Sequence, residues 1–239
     1  MAGFADVPGT RIIVFYPKDG VSRVQELQMV TQKGDNTSVV AIHGNFDDAQ
    51  TGVKKIFADK EFGAELADHG FQFSSANSIN IGRLVPQVVY YVYAYASLLV
   101  NEEIKDGEEI NVTVPTGNFG NILAAYFAKQ LGVPIKKLIC ASNDNKVLYD
   151  FFQTGTYDRQ RDFILATSPS MDILISSNLE RLLYLSTGCD AEQTAKLMNQ
   201  LGTEGHYTVT PEMKAKMADF CGGFATETED AAAIRELYD

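Results

Sequence analysis

Apolar positions in this chain follow two rhythms. Short β-branched runs closed by proline or glycine alternate with stretches of helical spacing. Residues 11–16 (RIIVFY) form a run ended by Pro17 and predict a buried strand. Ser22 then stands where a cap belongs, ahead of a helix over 23–32 that Gly34 ends. Residues 37–42 (TSVVAI) predict a second buried strand, 47–60 a helix, and 71–74 (FQFS) a short third strand. Asn80 caps a long helix to about residue 99, whose dense apolar content predicts burial between layers. A strand at 110–114, a helix at 121–131, a strand at 137–141 and a helix at 146–153 follow. Strands separated by helices predict βαβ units and a parallel sheet, the α/β class.

Beyond Gly155 the strand signals fade. Helical spacing dominates at 177–185, 191–201 and 211–220, which predicts a helical lobe on the α/β core. Both ends read as cut. Residues 1–4 form a helix-like stub before a buried strand, and 231–238 form a helix-like stretch without a closing glycine.

Composition narrows the partners. The 239 residues carry a net charge of −11, and lysines occur at most in pairs such as Lys54-Lys55 and Lys136-Lys137. Such a surface disfavours nucleic acid and anionic membranes. The apolar-rich stretch 84–100 is too short and too polar to span a bilayer. No leader with a basic start and a long apolar run is visible. Cys140, Cys189 and Cys221 are odd in number and far apart, which fits a reducing cytoplasm and neither a disulfide framework nor a zinc site. His43 and His69 share no ligand spacing and His206 stands alone, so no metal site is expected.

Three segments could carry chemistry. In 114–121 (VPTGNFGN) a strand passes through a glycine-containing loop into a helix N-terminus. Backbone N–H groups there can converge on an anion without a lysine or arginine. The residues alone leave open an anion cradle and a plain tight turn capped by Asn121. The spacing matches neither the Walker loop nor the GxGxxG fingerprint. In 74–83 (SSANSINIGR) short polar side chains crowd a helix start, with Arg83 on its first turn. That set suits a phosphate or carboxylate, and equally a polar loop with an Asn cap. The stretch 166–178 (ATSPSMDILISSN) reads as a turn ahead of an Asn178 cap.

Taken together, SSANSINIGRLVPQ, VPTGNFGNILAAYFAKQLGVP, ATSPSMDI and SSNLERLL resemble threonine synthase of the bacterial and fungal type. HGNFDDAQ and FYPKDGVSRVQ resemble it as well, so the likeness runs from about residue 3 to 239. It implies a fold-type II pyridoxal-phosphate enzyme with parallel sheets, flanking helices and a helical lobe. Residues 1–75 would belong to the small domain, 76–155 to the large cofactor-binding domain and 156–239 to its helical lobe. The implied reaction converts O-phospho-L-homoserine and water to L-threonine and phosphate, in the cytoplasm. Gly117, Asn118, Phe119, Gly120 and Asn121 would cradle the cofactor phosphate. Asn77, Ser78, Asn80 and Arg83 would line the substrate side, with Ser170 and Asp172 as further candidates. The family holds its cofactor on a lysine in a Ser-Phe-Lys-Asp-like segment, and no such segment occurs here. No catalytic residue is therefore assigned, and the chain is expected to be truncated at both ends and inactive alone. A full-length enzyme of this kind would be monomeric, and a shortened one prone to self-association. The alternatives are a non-catalytic phosphate-ester binder and another type II lyase such as threonine dehydratase.

Overall fold

The computed structural model describes residues 1–164, 166, 171–224, 226, 229, 232, 235 and 236, and of residues 46 and 47 only the backbone. The helix expected at 231–238 lies largely outside the described residues. The chain divides into two compact units, Met1–Phe73 and Ser74–Asp239.

In the first unit, β1 (Ile12–Pro17) and β2 (Thr37–Ile42) pair in parallel, from Ile12 opposite Thr37 to Pro17 opposite Ile42. The crossover is α1 (Arg23–Val30), since parallel neighbours cannot be joined by a tight turn. Ser22 starts α1 with a reciprocal capping box to Gln25, and Asn45 starts α2 (Phe46–Ala58) with the same device through Asp48. α2 is the helix expected at 47–60; a further helix follows at once, because Asp59 leaves helical geometry and caps α3 (Lys60–Asp68) through the Phe62 N–H. No strand forms at 71–74; Phe73 instead packs its ring on Phe57 and Phe62. Nor are β1 and β2 buried strands. The sheet has two strands, α1 buries none of its residues, and among the described residues Tyr16 is the one large apolar side chain of this unit that is buried.

The second unit holds a parallel sheet in the order β3 (Ile110–Pro115), β4 (Ile135–Ser142), β7 (Phe220–Phe224). Helix α6 (Gly120–Gln130) crosses from β3 to β4, and Ile122, Leu123, Ala124, Ala125 and Ala128 are buried along it. α7 (Val147–Thr154) leads to a small antiparallel pair, β5 (Thr156–Asp158) with β6 (His206–Thr208). There Tyr157 and Tyr207 stack at 5.4 Å beside Phe151. α8 (Leu179–Ser186), α9 (Ala191–Thr203) and α10 (Pro211–Lys216) complete the unit. One apolar core joins residues of β3, β4, α6 and α7 to those of α8, α9 and β7.

Two expectations fail here for physical reasons. The helix expected over 211–220 ends at Lys216, and Phe220 opens β7, which pairs with β4. Cys221-Gly222-Gly223 is a poor helix sequence. At Gly222 a Cβ would sit 2.9 Å from the Tyr149 ring and 3.0 Å from its Cα, so glycine lets α7 lie against the strand. The long helix expected over 80–99 is broken. α4 (Ile81–Leu84) gives way to a 3-10 turn at Val85–Gln87 containing Pro86, and α5 (Val88–Val100) follows. α5 is not buried between layers either. Val88 and Tyr91 pack on the core, while Val89 and Tyr93 are 62% and 72% exposed. Among the described residues no helix is long and apolar enough to cross a membrane.

Burial therefore predicts unequal effects within this unit. Leu123→Ala, at a fully enclosed site, should cost about 2–5 kcal/mol in urea unfolding. Val89→Ala on the open face of α5 should stay within about 0.5 kcal/mol of the parent. Equal losses for the two variants would contradict the exposed placement of α5.

Candidate functional site

All three strands of the larger sheet run in parallel, so their C-terminal ends share one edge. In open α/β sheets ligands collect along that edge. Here it carries the loop from β3 to α6. Thr116 fixes the exit from β3: its N–H donates to the Ala141 carbonyl at 2.8 Å and its hydroxyl to the Val114 carbonyl at 2.6 Å.

The next residues have their carbonyls engaged from one side. The Ser176 hydroxyl donates to the Gly117 carbonyl at 2.7 Å. The Asn118 carbonyl accepts from the Asn178 backbone N–H at 3.0 Å and from its Nδ2 at 2.9 Å. Among the described residues no peptide bond is cis, and a trans peptide sets its C=O opposite the N–H that follows. The Asn118 and Phe119 N–H groups therefore point away from Ser176 and Asn178. Phe119 is left-handed, with φ 65° and ψ 4°, an uncommon state for a non-glycine residue. Its buried ring, against Phe152 and Phe220, holds that conformation in place. Successive N–H groups around such a residue form an anion-binding concavity. The Asn118 side chain accepts from the Gly120 N–H at 3.0 Å. No described residue accepts from the N–H groups of Gly117, Asn118, Phe119, Asn121 or Ile122. Four of these residues belong to the sequence-predicted cradle, and all five donors lie at the N-terminus of an 11-residue helix.

Of the second predicted group, two members reach this loop. Ser78 Oγ accepts from Asn118 Nδ2 at 2.9 Å and from Asn178 Nδ2 at 3.2 Å. Asn77 Oδ1 accepts from Asn118 Nδ2 at 3.4 Å and from the Ile79 N–H at 3.1 Å. Asn80 and Arg83 bond locally. Asn80 Oδ1 caps α4 through the Gly82 N–H, and Arg83 Nε donates to the Ala76 carbonyl. Arg83 is exposed, and its terminal Nη groups bind no described residue. Gly120 admits the close approach of the two loops, since a Cβ there would collide with Ser78 Oγ.

Asn121 and Asn178 depart from the cap roles open to them in the sequence. Asn121 is inside α6, where its side chain accepts from Tyr91 Oη at 2.5 Å and donates to Gln87. Burial pushes the Tyr91 phenol up to about 12. Asn178 stands at the start of α8 without a side-chain cap bond, because its Oδ1 accepts from Arg181 while its Nδ2 serves Ser78 and Asn118. Arg181 was not singled out in the sequence. It donates to the carbonyls of Ser78 at 3.1 Å and Ile79 at 2.5 Å, and to Asn178 Oδ1. Burial lowers its pKa, against an opposing pull from Glu180. The SSNLERLL segment was the available signal, but only the fold shows which loop it meets.

Ser170 lies outside the described residues. Asp172 is buried and serves the framework. It accepts from Asn143 at 2.7 Å, from Asn145 at 3.0 Å and from the Ala166 N–H at 2.9 Å. These bonds tie Ala166 to the residues that follow β4. His43, His69 and His206 are all exposed.

No family model matches the chain. It is 45% identical to threonine synthase-like 1 of Macaca fascicularis over 95% of its own length and 31% of that protein. The crystal structure of yeast threonine synthase superposes on 99% of this chain with a TM-score of 0.82 at 34% identity. A PLP-bound threonine synthase from Brucella melitensis covers 93% with a TM-score of 0.78 at 41% identity. The chain spans 46% of each of those two structures, so it matches less than half of all three proteins. Its architecture is the α/β, fold-type II arrangement of these threonine synthases.

The contact at Gly120 yields a direct expectation. Gly120→Ala should destabilise the chain by about 1–3 kcal/mol through overpacking against Ser78. Adding Ser78→Gly should recover much of that loss in the same urea titration. No loss in the single variant would contradict the observed approach of the two loops.

Proposed function

We propose that this chain, a homologue of threonine synthase, builds the cofactor-phosphate cradle of an enzyme converting O-phospho-L-homoserine and water to L-threonine and phosphate. One observation carries the reading. In the loop from Gly117 to Asn121 the carbonyls of Gly117 and Asn118 are engaged on one side, while the N–H groups of Gly117, Asn118, Phe119 and Asn121 have no acceptor among the described residues, at the N-terminus of α6. That geometry fits the phosphate of pyridoxal phosphate, the cofactor named for the Brucella relative. The donors are neutral, and only a glycine at position 120 lets the loop sit against Ser78.

On this reading the N–H groups of Gly117, Asn118, Phe119 and Asn121 hold the cofactor phosphate. Gly120 supplies clearance, since its own N–H is spent on Asn118. When bound, pyridoxal phosphate supplies an electron sink for charge developing on substrate carbons. Asn77, Ser78 and Asn80 line the substrate side, and Arg83 offers its Nη groups to the substrate's phosphate. Those donors orient the leaving phosphate and balance its charge. The scattered cysteines support a reducing cytoplasm. The open apolar face of α5 supports self-association of the 239 residues taken alone.

These 239 residues contain no Ser-Phe-Lys-Asp-like segment, so binding without turnover is expected of them alone. A second reading, a phosphate-ester binder without catalysis, draws support from the 45% identity to a protein named only threonine synthase-like.

The test is titration with pyridoxal phosphate, followed by borohydride, peptide mapping and a phosphate-release assay on O-phospho-L-homoserine. Saturable binding, with neither a mapped lysine adduct nor phosphate release, is the expected result. A single reduced lysine with turnover would overturn the expected inactivity, and absence of any binding would overturn the cradle.

A further inference from the structure

Phosphate loops are described by their donors, but a loop is only as good as what fixes its peptide planes. Ser176 and Asn178 lie about 60 residues beyond the loop in sequence, a long-range reach given by the separations of 59 and 60 in their bonds to Gly117 and Asn118. Both are buried. Each addresses a carbonyl of the loop, and neither addresses one of its free N–H groups. The Ser176 position is itself set by Tyr157, whose hydroxyl accepts from the Ser176 N–H at 2.8 Å and donates to the Leu174 carbonyl at 2.8 Å. Asn178 is held in turn by Arg181, which also grips the carbonyls of Ser78 and Ile79.

We infer that Ser176 and Asn178 are positioning residues that aim the Asn118 and Phe119 N–H groups at the bound phosphate. The inference rests on the cradle reading above. Rotating a peptide plane turns its C=O and the next N–H together. With Ser176 on the Gly117 carbonyl, the Asn118 N–H cannot swing without breaking that bond. With Asn178 on the Asn118 carbonyl, the Phe119 N–H is fixed in the same way. The donors are thereby ordered before the anion arrives, which lowers the entropy lost on binding. The clamp adds no charge near the phosphate, so its effect is geometric. Arg181 supplies the charge that anchors Asn178 from behind, on the side of Ser78 and Ile79.

The test follows backbone amide NMR shifts of the 239-residue chain during titration with inorganic phosphate and with pyridoxal phosphate. In the parent, the Asn118 and Phe119 amides should shift and saturate. In Ser176→Ala, phosphate affinity should fall roughly three- to tenfold, the worth of one lost hydrogen bond. The Asn118 shift should shrink most in that variant. Ser176→Thr, which retains a hydroxyl, should restore both. Asn178→Ala should act chiefly on Phe119. Affinity for pyridoxal lacking the phosphate should not change, a selectivity that general loosening of the fold would not produce. A second measurement needs no variant: without anion, both amides of the parent should exchange quickly with solvent, and phosphate should slow them. Parent binding at these amides with unchanged affinity in folded Ser176→Ala would overturn the clamp alone. Slow exchange without anion would also overturn it. No phosphate-dependent shift in the parent would overturn the cradle and the clamp with it.

Discussion

The candidate site depends on one constraint, the antiparallel C=O and N–H of a trans peptide held from one side. Once the carbonyls of Gly117 and Asn118 are bonded to Ser176 and Asn178, the following N–H groups have one direction left. The left-handed Phe119 and the N-terminus of α6 then gather those donors into a concavity. Everything that supports this arrangement is ordinary core packing. The Phe119 ring rests on Phe152 and Phe220, so β7 and α7 hold the strained residue from below. Gly222 in turn lets α7 close over β7.

This arrangement explains how a chain of net charge −11 could receive an anionic group. Backbone dipoles at a helix start supply local positive potential independent of the surface charge. The network around the loop is mostly of neutral amides and hydroxyls, from Asn77, Ser78, Asn118, Ser176 and Asn178. Arg181 is the cation within it, and its bonds go to Asn178 and to the carbonyls of Ser78 and Ile79 rather than to the donors. The side chains of Asn77, Ser78, Asn118, Ser176 and Asn178 bond to one another and to loop carbonyls, which offsets the cost of taking them out of water.

Local chemistry was legible in the sequence where one segment sufficed. The strand at 110–115, its loop and α6 follow from a β-branched run, glycines and a helical apolar pattern. The capping at Ser22 also follows from adjacent residues. What escaped was set by distant partners. The apolar density of α5 reads as burial, yet the fold leaves Val89 and Tyr93 open. β7 was missed because pairing with β4, some 80 residues earlier as the 83-residue span between Cys221 and Leu138 shows, overrides the local pattern. Asn178 looks like a helix cap in any single-segment reading. Its bonds to Asn118 and Ser78 span 60 and 100 residues, which no local spacing encodes.

The most direct measurement is a crystal structure of the chain grown with a heavy oxyanion such as tungstate, located by anomalous scattering. The account predicts an anion peak within hydrogen-bond distance of the Asn118 and Phe119 amide nitrogens, roughly 2.7–3.2 Å. It also predicts that the carbonyls of Gly117 and Asn118 remain on Ser176 and Asn178. An anion bound elsewhere with this loop empty, or loop carbonyls turned inward, would contradict it.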